Sequence, residues 1–427
     1  MICMKLNKII LDCEIDPKNY HIKANAVLTL TNCNENIQLI LNPDLQWKNV
    51  YIKDEGNWIE LQATEKTVPE GSMFKVAKMW EFAFPESLKL AEGEECIIKV
   101  NYSGSITQSN WNLSYIREDF VELAIYGLWY PLCVDNGRHS FDLKLTGPKN
   151  WKWLANGELI STVPKDSKVI SIWRNELTDL DITLLGIPSN LAYENPKGHF
   201  WGPKDIVEEH LMYERKLLEF KISLEKWLGE STSGGEFNYA FTPRDKGGQY
   251  ARSDLIVTIR ELPKDEDMIP KVLQSMLHEI SHFWWNKTST SEYNNWLDEA
   301  LAEYSSSLVI SVKYGGDAWL EERAKKILEI LIKAGSLPAI RAITRAHKDA
   351  YTVFYYRGFL LLRELHKSMK TEQFKSLLSE FATKCNKSAT ITTDDFLEML
   401  SKYKDPENDL TSLVNNWLDF EGEGIPQ

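Results

Sequence analysis

The stretch that most restricts what this chain can fold into is Met268–Trp285, which carries His278-Glu279-Ile280-Ser281-His282. Ile269, Val272, Leu273, Met276, Leu277 and Ile280 recur at three- and four-residue steps, the spacing that gathers apolar side chains on one face of a helix. Asp267 is the expected N-cap, and Pro270 falls in the first turn, where the missing N–H is not needed. On such a helix the two histidines stand four positions apart and flank the apolar stripe, close enough to hold one metal ion between them. A helix that buries one side and turns two imidazoles to a cleft needs packed partners, so a core has to form around it.

In the H-E-x-x-H arrangement of zinc hydrolases the glutamate, here Glu279, is a general base and not a ligand. Catalytic zinc takes three protein ligands and leaves one position to water, so a third ligand must come from another element. Asn295–Tyr304 reads as the start of a second amphipathic helix, with Trp296, Leu297, Ala300, Leu301, Tyr304 and Leu308 on its apolar face. Glu299, in its first turn, is the expected carboxylate ligand, completing a site for one zinc ion with His278 and His282. Glu303 lies one turn further on. It is either the acceptor for the other ring N–H of a ligand histidine or an ordinary solvated helix charge.

H-E-x-x-H followed by W-L-x-E-x-x-A-x-Y, here Trp296-Leu297-Asp298-Glu299-Ala300-Leu301-Ala302-Glu303-Tyr304, resembles the gluzincin aminopeptidases, the family of membrane alanyl aminopeptidase and leukotriene hydrolase. The segment between His282 and Glu299 is about two residues shorter than the family's, which reads as a trimmed loop around Lys287–Tyr293. Ala300 stands where the family has glycine. The resemblance implies a zinc metallopeptidase acting on peptides. It extends to Leu11–Asp16, similar to the family's opening hairpin. Trp129–Asp135 with Phe141-Asp142-Leu143 resembles its F-P-C-x-D-E-P…F-D-L stretch, and Asn156-Gly157 the turn that follows. The chain closes with Leu413–Asp419 and Pro426, like the end of the family's thermolysin-like domain, so the expectation is a short form without the helical C-terminal domain.

The formal charge of −13 argues against nucleic-acid binding, which wants a basic surface. The six cysteines, from Cys3 to Cys385, include no C-x-x-C pair, a pattern of reduced thiols in a cytoplasmic protein. No signal peptide is expected at Met1–Ile10, and no apolar run reaches membrane-spanning length, so no membrane partner is expected. A homo-oligomer is left open. The aromatic residues fall mostly at strand or helix periodicities, which reads as core packing and not as a stacking site.

The fold class expected is multidomain α+β. Residues 1–190 read as a β-rich saddle or sandwich domain, and 191–427 as a mainly helical, thermolysin-like zinc metallopeptidase domain. His21–Thr31 alternates, with Ile22, Ala24, Ala26, Leu28 and Leu30 on one face. Ile37–Leu41, Ile97–Tyr102, Phe141–Leu145, Val169–Trp173 and Ile182–Leu185 are further strands, with turns at Asn136-Gly137 and Asn156-Gly157. A breaker cluster of Pro196, Gly198, Gly202 and Pro203 precedes a helix over Asp205–Leu228 that stops at Gly229. Phe237–Phe241 and Leu255–Arg260 read as strands ahead of the histidine helix.

Peptide hydrolysis also needs a group to stabilise the oxyanion. The family uses a tyrosine in a Y-x-K-G context. The matching stretch, Phe354-Tyr355-Tyr356-Arg357-Gly358, gives that role to Tyr355; the rival reading is a core aromatic on an apolar helix. Family aminopeptidases hold the substrate amine with the glutamate of a Gly-x-Met-Glu-Asn strand. Gly248–Val257 aligns with that strand but places Ala251 at the glutamate and Arg252 at the asparagine. A carboxylate facing an ammonium is a charge-assisted pair that alanine cannot replace. Glu122, nine residues before Pro131, is the other candidate amine anchor, with a solvent-facing strand charge as the alternative. Arg252 either pairs with Asp254 or another acid to hold the strand, or binds a substrate carboxylate. The backbone of Gly247 to Gln249, Gly248 and Gln249 among them, can pair with an extended peptide as an edge strand does. The function expected is a zinc metallopeptidase, an aminopeptidase with an atypical amine anchor. An endopeptidase or other amide hydrolase is the first alternative, and a non-catalytic binding module the second.

Overall fold

The computed structural model describes residues 4–426 apart from 34–35, 70–71, 73, 86–87, 89, 91–92, 135–136, 196–198, 232–236, 253, 261, 264 and 404–408. Cys3, Asp135, Asn136 of the Asn136-Gly137 turn, and Pro196 and Gly198 of the breaker cluster lie outside the described residues. The chain divides into two compact units. One comprises Met1–Val207 with Asn238–Gly248 and Arg252–Arg260; the other comprises Glu208–Phe237, Gln249–Ala251 and Glu261–Gln427.

The first unit is built on strict alternation. In His21–Thr31, Ile22, Ala24, Ala26, Leu28 and Leu30 are buried while the residues between them face outward. Each fully buried leucine or isoleucine removes enough apolar surface from water to contribute about 1.5–3 kcal/mol. That strand lies inside an eight-stranded sheet, between Lys5–Asp16 and Cys96–Ser105. Lys5–Asp16 pairs antiparallel with His21–Thr31 on one side and parallel with His139–Pro148 on the other. Two four-stranded sheets complete this part, one holding Asn36–Leu41 and Lys78–Ala83, the other Val121–Leu123 and Leu184–Pro188.

Ala192–Glu194, Phe200–Pro203, Asn238–Phe241 and Leu255–Thr258 lie side by side, the last three mutually parallel. These parallel pairings return 238–248 and 252–260 to the first unit, an interleaving that a single cut near residue 190 does not describe. Pairings between residues distant in the chain leave no mark in local periodicity. Asn156 at the expected turn is buried: its amide nitrogen donates to Asp179 Oδ2 (3.2 Å) and the Asp181 carbonyl (2.9 Å). Gly157 follows at φ +90°, a conformation that favours glycine.

The second unit is mainly helical. Its first helix, Val207–Leu228, ends at Gly229 (φ +85°), whose N–H donates to the Glu225 carbonyl. The central element is Trp296–Lys313, buried along nearly its whole length. Against it packs Gly358–Lys367, so closely that a β-carbon on Gly358 would lie 2.6 Å from the Ala300 methyl. Thr371–Lys387, Thr393–Leu400 and Leu410–Asp419 follow, the second opened by a reciprocal capping box between Thr392 and Asp395. Among the described residues, no helix is long and apolar enough to cross a membrane.

Candidate metal centre

The histidine helix runs Ile269–Ser281, shorter than the expected Met268–Trp285. Leu273, Met276, Leu277 and Ile280 are fully buried, as the periodicity requires. Met268, not Asp267, is the N-cap, and it makes no side-chain cap bond; the Asp265 carbonyl accepts from the N–H groups of Met268 and Ile269 instead. At the other end, His282, Phe283 and Trp284 donate to carbonyls three residues back, tightening the chain into turns. His282 is therefore the C-cap, still one turn from His278.

Three ligand-type side chains converge here: His278, His282 and Glu299. His278 Nε2 lies 3.4 Å, and His282 Nε2 3.5 Å, from Glu299 Oε2. The outer ring nitrogens are both engaged. His278 Nδ1 lies 2.9 Å from Glu303 Oε2, and His282 Nδ1 lies 2.9 Å from the Trp285 carbonyl. A carbonyl or a carboxylate can only accept, so in each neutral ring Nδ1 carries the proton and Nε2 presents a lone pair. Two nitrogen lone pairs and a carboxylate oxygen then face one point.

Glu299 Oε2 is buried and accepts no hydrogen bond. The 3.4 and 3.5 Å separations exceed the roughly 2.7–3.2 Å of an N–H···O bond. They are close to the roughly 3.3 Å edge of a tetrahedron whose centre lies about 2.05 Å from each ligand atom, the dimensions of a zinc site. The donor set therefore fits zinc.

The electrostatics agree. Burial opposes charge on His278, but Glu299 and Glu303 outweigh it and raise its pKa to about 10; His282 is raised in the same way against burial, chiefly by Glu299. Burial pushes Glu299 up, yet Arg345 and the two histidines bring it well below the usual carboxylate range. Glu303, also opposed by burial, is brought down to about 2 by Arg323 and His278. A cation entering the site displaces the protons these carboxylates attract.

Glu303 is thus no solvated helix charge. Its Oε2 also accepts from Gln274 Nε2 (3.1 Å), and its Oε1 pairs with Arg323. Gln274 was not expected in the site, although it stands four residues before His278 on the same helical face. Asp298 holds the short loop, accepting from the Lys287 and Thr288 N–H groups (3.2 and 3.1 Å) and from Thr288 Oγ1 (2.7 Å). Glu279, next to His278, is half-buried.

Tyr355 lies on a π-helical turn, Thr352–Arg357, that leads into Gly358–Lys367. Such turns frequently mark functional positions. Its ring stacks on His278 with centroids 5.1 Å apart and planes 12° from parallel. Burial raises its hydroxyl well above the ordinary tyrosine range, with Arg345 acting in the opposite direction. Arg345 was missed by sequence reasoning. It sits in a turn with no helical phase to reveal it, 3.0 Å from Glu299 Oε1 through Nη1 and 2.7 Å from Tyr355 Oη through Nη2. Arg357 is fully buried and donates to the carbonyls of Pro338, Phe420 and Gly422. With burial unopposed, its pKa is held down to about 10.

Glu122 is buried, its Oε2 2.8 Å from Arg244 Nε, and Arg244 Nη1 donates to the Lys246 and Gly248 carbonyls (3.1 and 3.2 Å). Arg252 is also buried and pairs with Asp181, not Asp254, through Nε (3.0 Å) and Nη2 (2.7 Å). Asp181 further accepts from the Ile125 N–H, Tyr130 Oη and Thr183 Oγ1. Asp254 instead accepts from the Gly157 N–H. The Gln249 amide oxygen is buried and makes no hydrogen bond.

Two imidazoles and a carboxylate turned to one point, with a glutamate beside them and a tyrosine stacked on one imidazole, form a donor set that could hold one zinc ion. Residues 249–417, which carry His278, His282, Glu299 and Tyr355, match the family described as "Peptidase family M1 domain". No curated protein matches the chain. Among solved structures it is similar to an M1 zinc metallopeptidase from Deinococcus radiodurans (16% identity, TM-score 0.70, 99% of this chain and 95% of that one). A mutant of that protein bound to a Tyr-Ser-Ala substrate is similar at 15% identity and TM-score 0.70, over 99% of this chain and 95% of that one. Native yeast LTA4 hydrolase is similar at 15% identity and TM-score 0.74, covering 99% of this chain and 68% of that one.

Proposed function

We propose that the chain is an aminopeptidase with an atypical amine anchor, working through one zinc ion held by His278, His282 and Glu299. The observation that carries the reading is the convergence of His278 Nε2 and His282 Nε2 on the unpartnered Glu299 Oε2, with Tyr355 stacked alongside. When bound, the zinc supplies Lewis acidity for activating water and polarising the substrate carbonyl. Glu279 takes the proton of the attacking water and hands it to the leaving amine. Tyr355 donates a hydrogen bond to the developing oxyanion. Glu303 fixes the tautomer and orientation of His278. Gly248 and Gln249 pair with the substrate backbone as an edge strand does.

A Deinococcus radiodurans M1 zinc metallopeptidase mutant bound to Tyr-Ser-Ala, and two-domain M1 zinc metallopeptidase mutants bound to L-arginine and to L-tryptophan, support a substrate with a free amino-terminal residue. Glu122 as amine anchor would have to share its carboxylate with Arg244, and Arg252 reads as a strand-holding residue through Asp181. Ala251 together with that shared carboxylate favours a second reading, an endopeptidase or other amide hydrolase on the same zinc. The scattered cysteines support a reducing, cytoplasmic setting.

The test is zinc content per chain, followed by turnover of free and N-acetylated aminoacyl-coumarins and of internally quenched peptides. One zinc per chain and turnover of the free substrates only is the expected result, with Glu279→Gln keeping the metal and losing about 10²–10⁴ in kcat. Turnover of blocked substrates would replace the aminopeptidase reading with the second one. Full zinc and no turnover of any would leave a binding module.

A further inference from the structure

We propose that Arg345 is a positioning residue of the zinc centre: one guanidinium nitrogen holds Glu299 through Oε1, leaving Oε2 for the metal, while the other sets the hydroxyl of Tyr355. The inference rests on the hydrolytic reading above and goes beyond it, since nothing in the H-E-x-x-H, W-L-x-E or Y-x-K-G patterns contains this residue.

The two contacts divide the guanidinium cleanly. Nη1 ion-pairs with Glu299 Oε1 at 3.0 Å without hydrogen-bond alignment, and Nη2 donates to Tyr355 Oη at 2.7 Å. Arginine has no acceptor atom, so Tyr355 Oη is the acceptor in this bond and its own proton remains available to another partner. That is the arrangement a hydrogen-bond donor to an oxyanion requires. On the other side, Oε1 lies in the ion pair with Nη1 and Oε2 faces His278 and His282, so Glu299 turns one oxygen toward the two histidines.

The guanidinium carbon also lies 5.1 Å from the centroid of the Tyr355 ring, whose opposite neighbour is the His278 imidazole. Tyr355 is held at its hydroxyl by Arg345 and on its ring by the metal-ligand histidine. Glu299 and Tyr355 belong to different helical elements, and Arg345 joins them from a third segment, the turn after Ile340–Ala342. A lysine reaches one of these atoms but lacks the rigid planar fork that spans both.

The rival role for a guanidinium whose side chain is 29% exposed beside such a centre is to bind a substrate carboxylate. The two roles separate kinetically. A positioning residue acts on kcat and on metal affinity, whereas a substrate contact acts on KM.

The experiment compares Arg345→Met, Arg345→Lys, Tyr355→Phe and the Arg345→Met/Tyr355→Phe double variant. Zinc affinity is read by competition with a chelator, and kcat and KM with saturating zinc. Arg345→Met is expected to weaken zinc about tenfold and to lower kcat about 10–100-fold, with KM within about threefold. In the Tyr355→Phe background the same substitution should lower kcat by no more than about threefold, because its effect passes through the tyrosine hydroxyl. Arg345→Lys, which keeps a charge without the fork, should recover zinc affinity more fully than kcat; it also serves as the test if Arg345→Met does not fold. The proposal is overturned by unchanged zinc affinity and kcat, by kcat effects that multiply in full, or by a raised KM at unchanged kcat, which would mark a substrate contact. A wild-type protein that binds zinc and hydrolyses nothing overturns the functional reading instead. The zinc arm then decides alone: weakened affinity in Arg345→Met supports the Glu299 contact, and unchanged affinity overturns it.

Discussion

Gly358→Ala probes how the elements carrying Glu299 and Tyr355 are held together. The new methyl would lie 2.6 Å from Cβ of Ala300, where two carbons prefer about 3.5–4.0 Å, so the helices must separate by about 1 Å. Ala300 cannot yield: it is fully buried, and its β-carbon is fixed by the helix Trp296–Lys313. Two effects oppose each other. Alanine is a better helix former than glycine by about 0.8–1 kcal/mol, while overpacking a core costs about 1–3 kcal/mol. With one rigid methyl against another the steric cost wins, for a net loss of up to about 2 kcal/mol. In a unit of this size that is a fall of up to about 8 °C in Tm. The displacement also falls between Glu299, next to Ala300, and Tyr355, three residues before Gly358. Misplacing such groups by about 1 Å costs on the order of 10² in kcat.

Ala300→Gly removes the obstructing methyl. In the double variant one helical glycine is exchanged for another, so the propensity effects cancel and stability and kcat should return close to wild type. Thermal and urea unfolding of the zinc-loaded variants, with kcat measured at saturating zinc, completes the cycle. Wild-type stability in Gly358→Ala, or simple addition of the two single effects, would refute the reasoning.

Two further outcomes follow from buried groups. His366 stacks on Phe374 (4.4 Å, 12°) with Nδ1 2.7 Å from the Tyr304 hydroxyl, and burial, reinforced by the charge of Arg363, lowers its pKa to about 4. Because the folded pKa lies below the unfolded value of about 6.5, the stability it contributes is present above pH 6.5 and is lost as pH falls toward 4. His366→Gln should flatten that part of the Tm–pH curve, and an unchanged slope would disprove the assignment. Arg252→Met strands the buried Asp181 carboxylate and should cost about 3–5 kcal/mol in urea unfolding, recovered in large part by adding Asp181→Asn. A raised KM with unchanged stability would show instead that Arg252 meets substrate.

The arrangement of the candidate site was legible in the sequence because helices convert spacing into direction. The four-residue step from His278 to His282, and the position of Glu299 in the first turn of an apolar-faced helix, fix which side chains look toward the same point. Alternation in His21–Thr31 likewise defined a strand to the residue. Even Gln274 could have been found by the same rule, one turn before His278.

Tertiary structure alone decided the rest. It took Glu303 into the His278 hydrogen bond, sealed Glu122 against Arg244 and Arg252 against Asp181, and brought Arg345 from an aperiodic turn to Glu299 and Tyr355. It also returned 238–248 and 252–260 to the first unit through parallel pairing. The reason is physical. Helical and strand periodicity records which face a residue occupies, whereas the partner of a buried charge is set by chain segments far away in sequence, and a local pattern holds no trace of it.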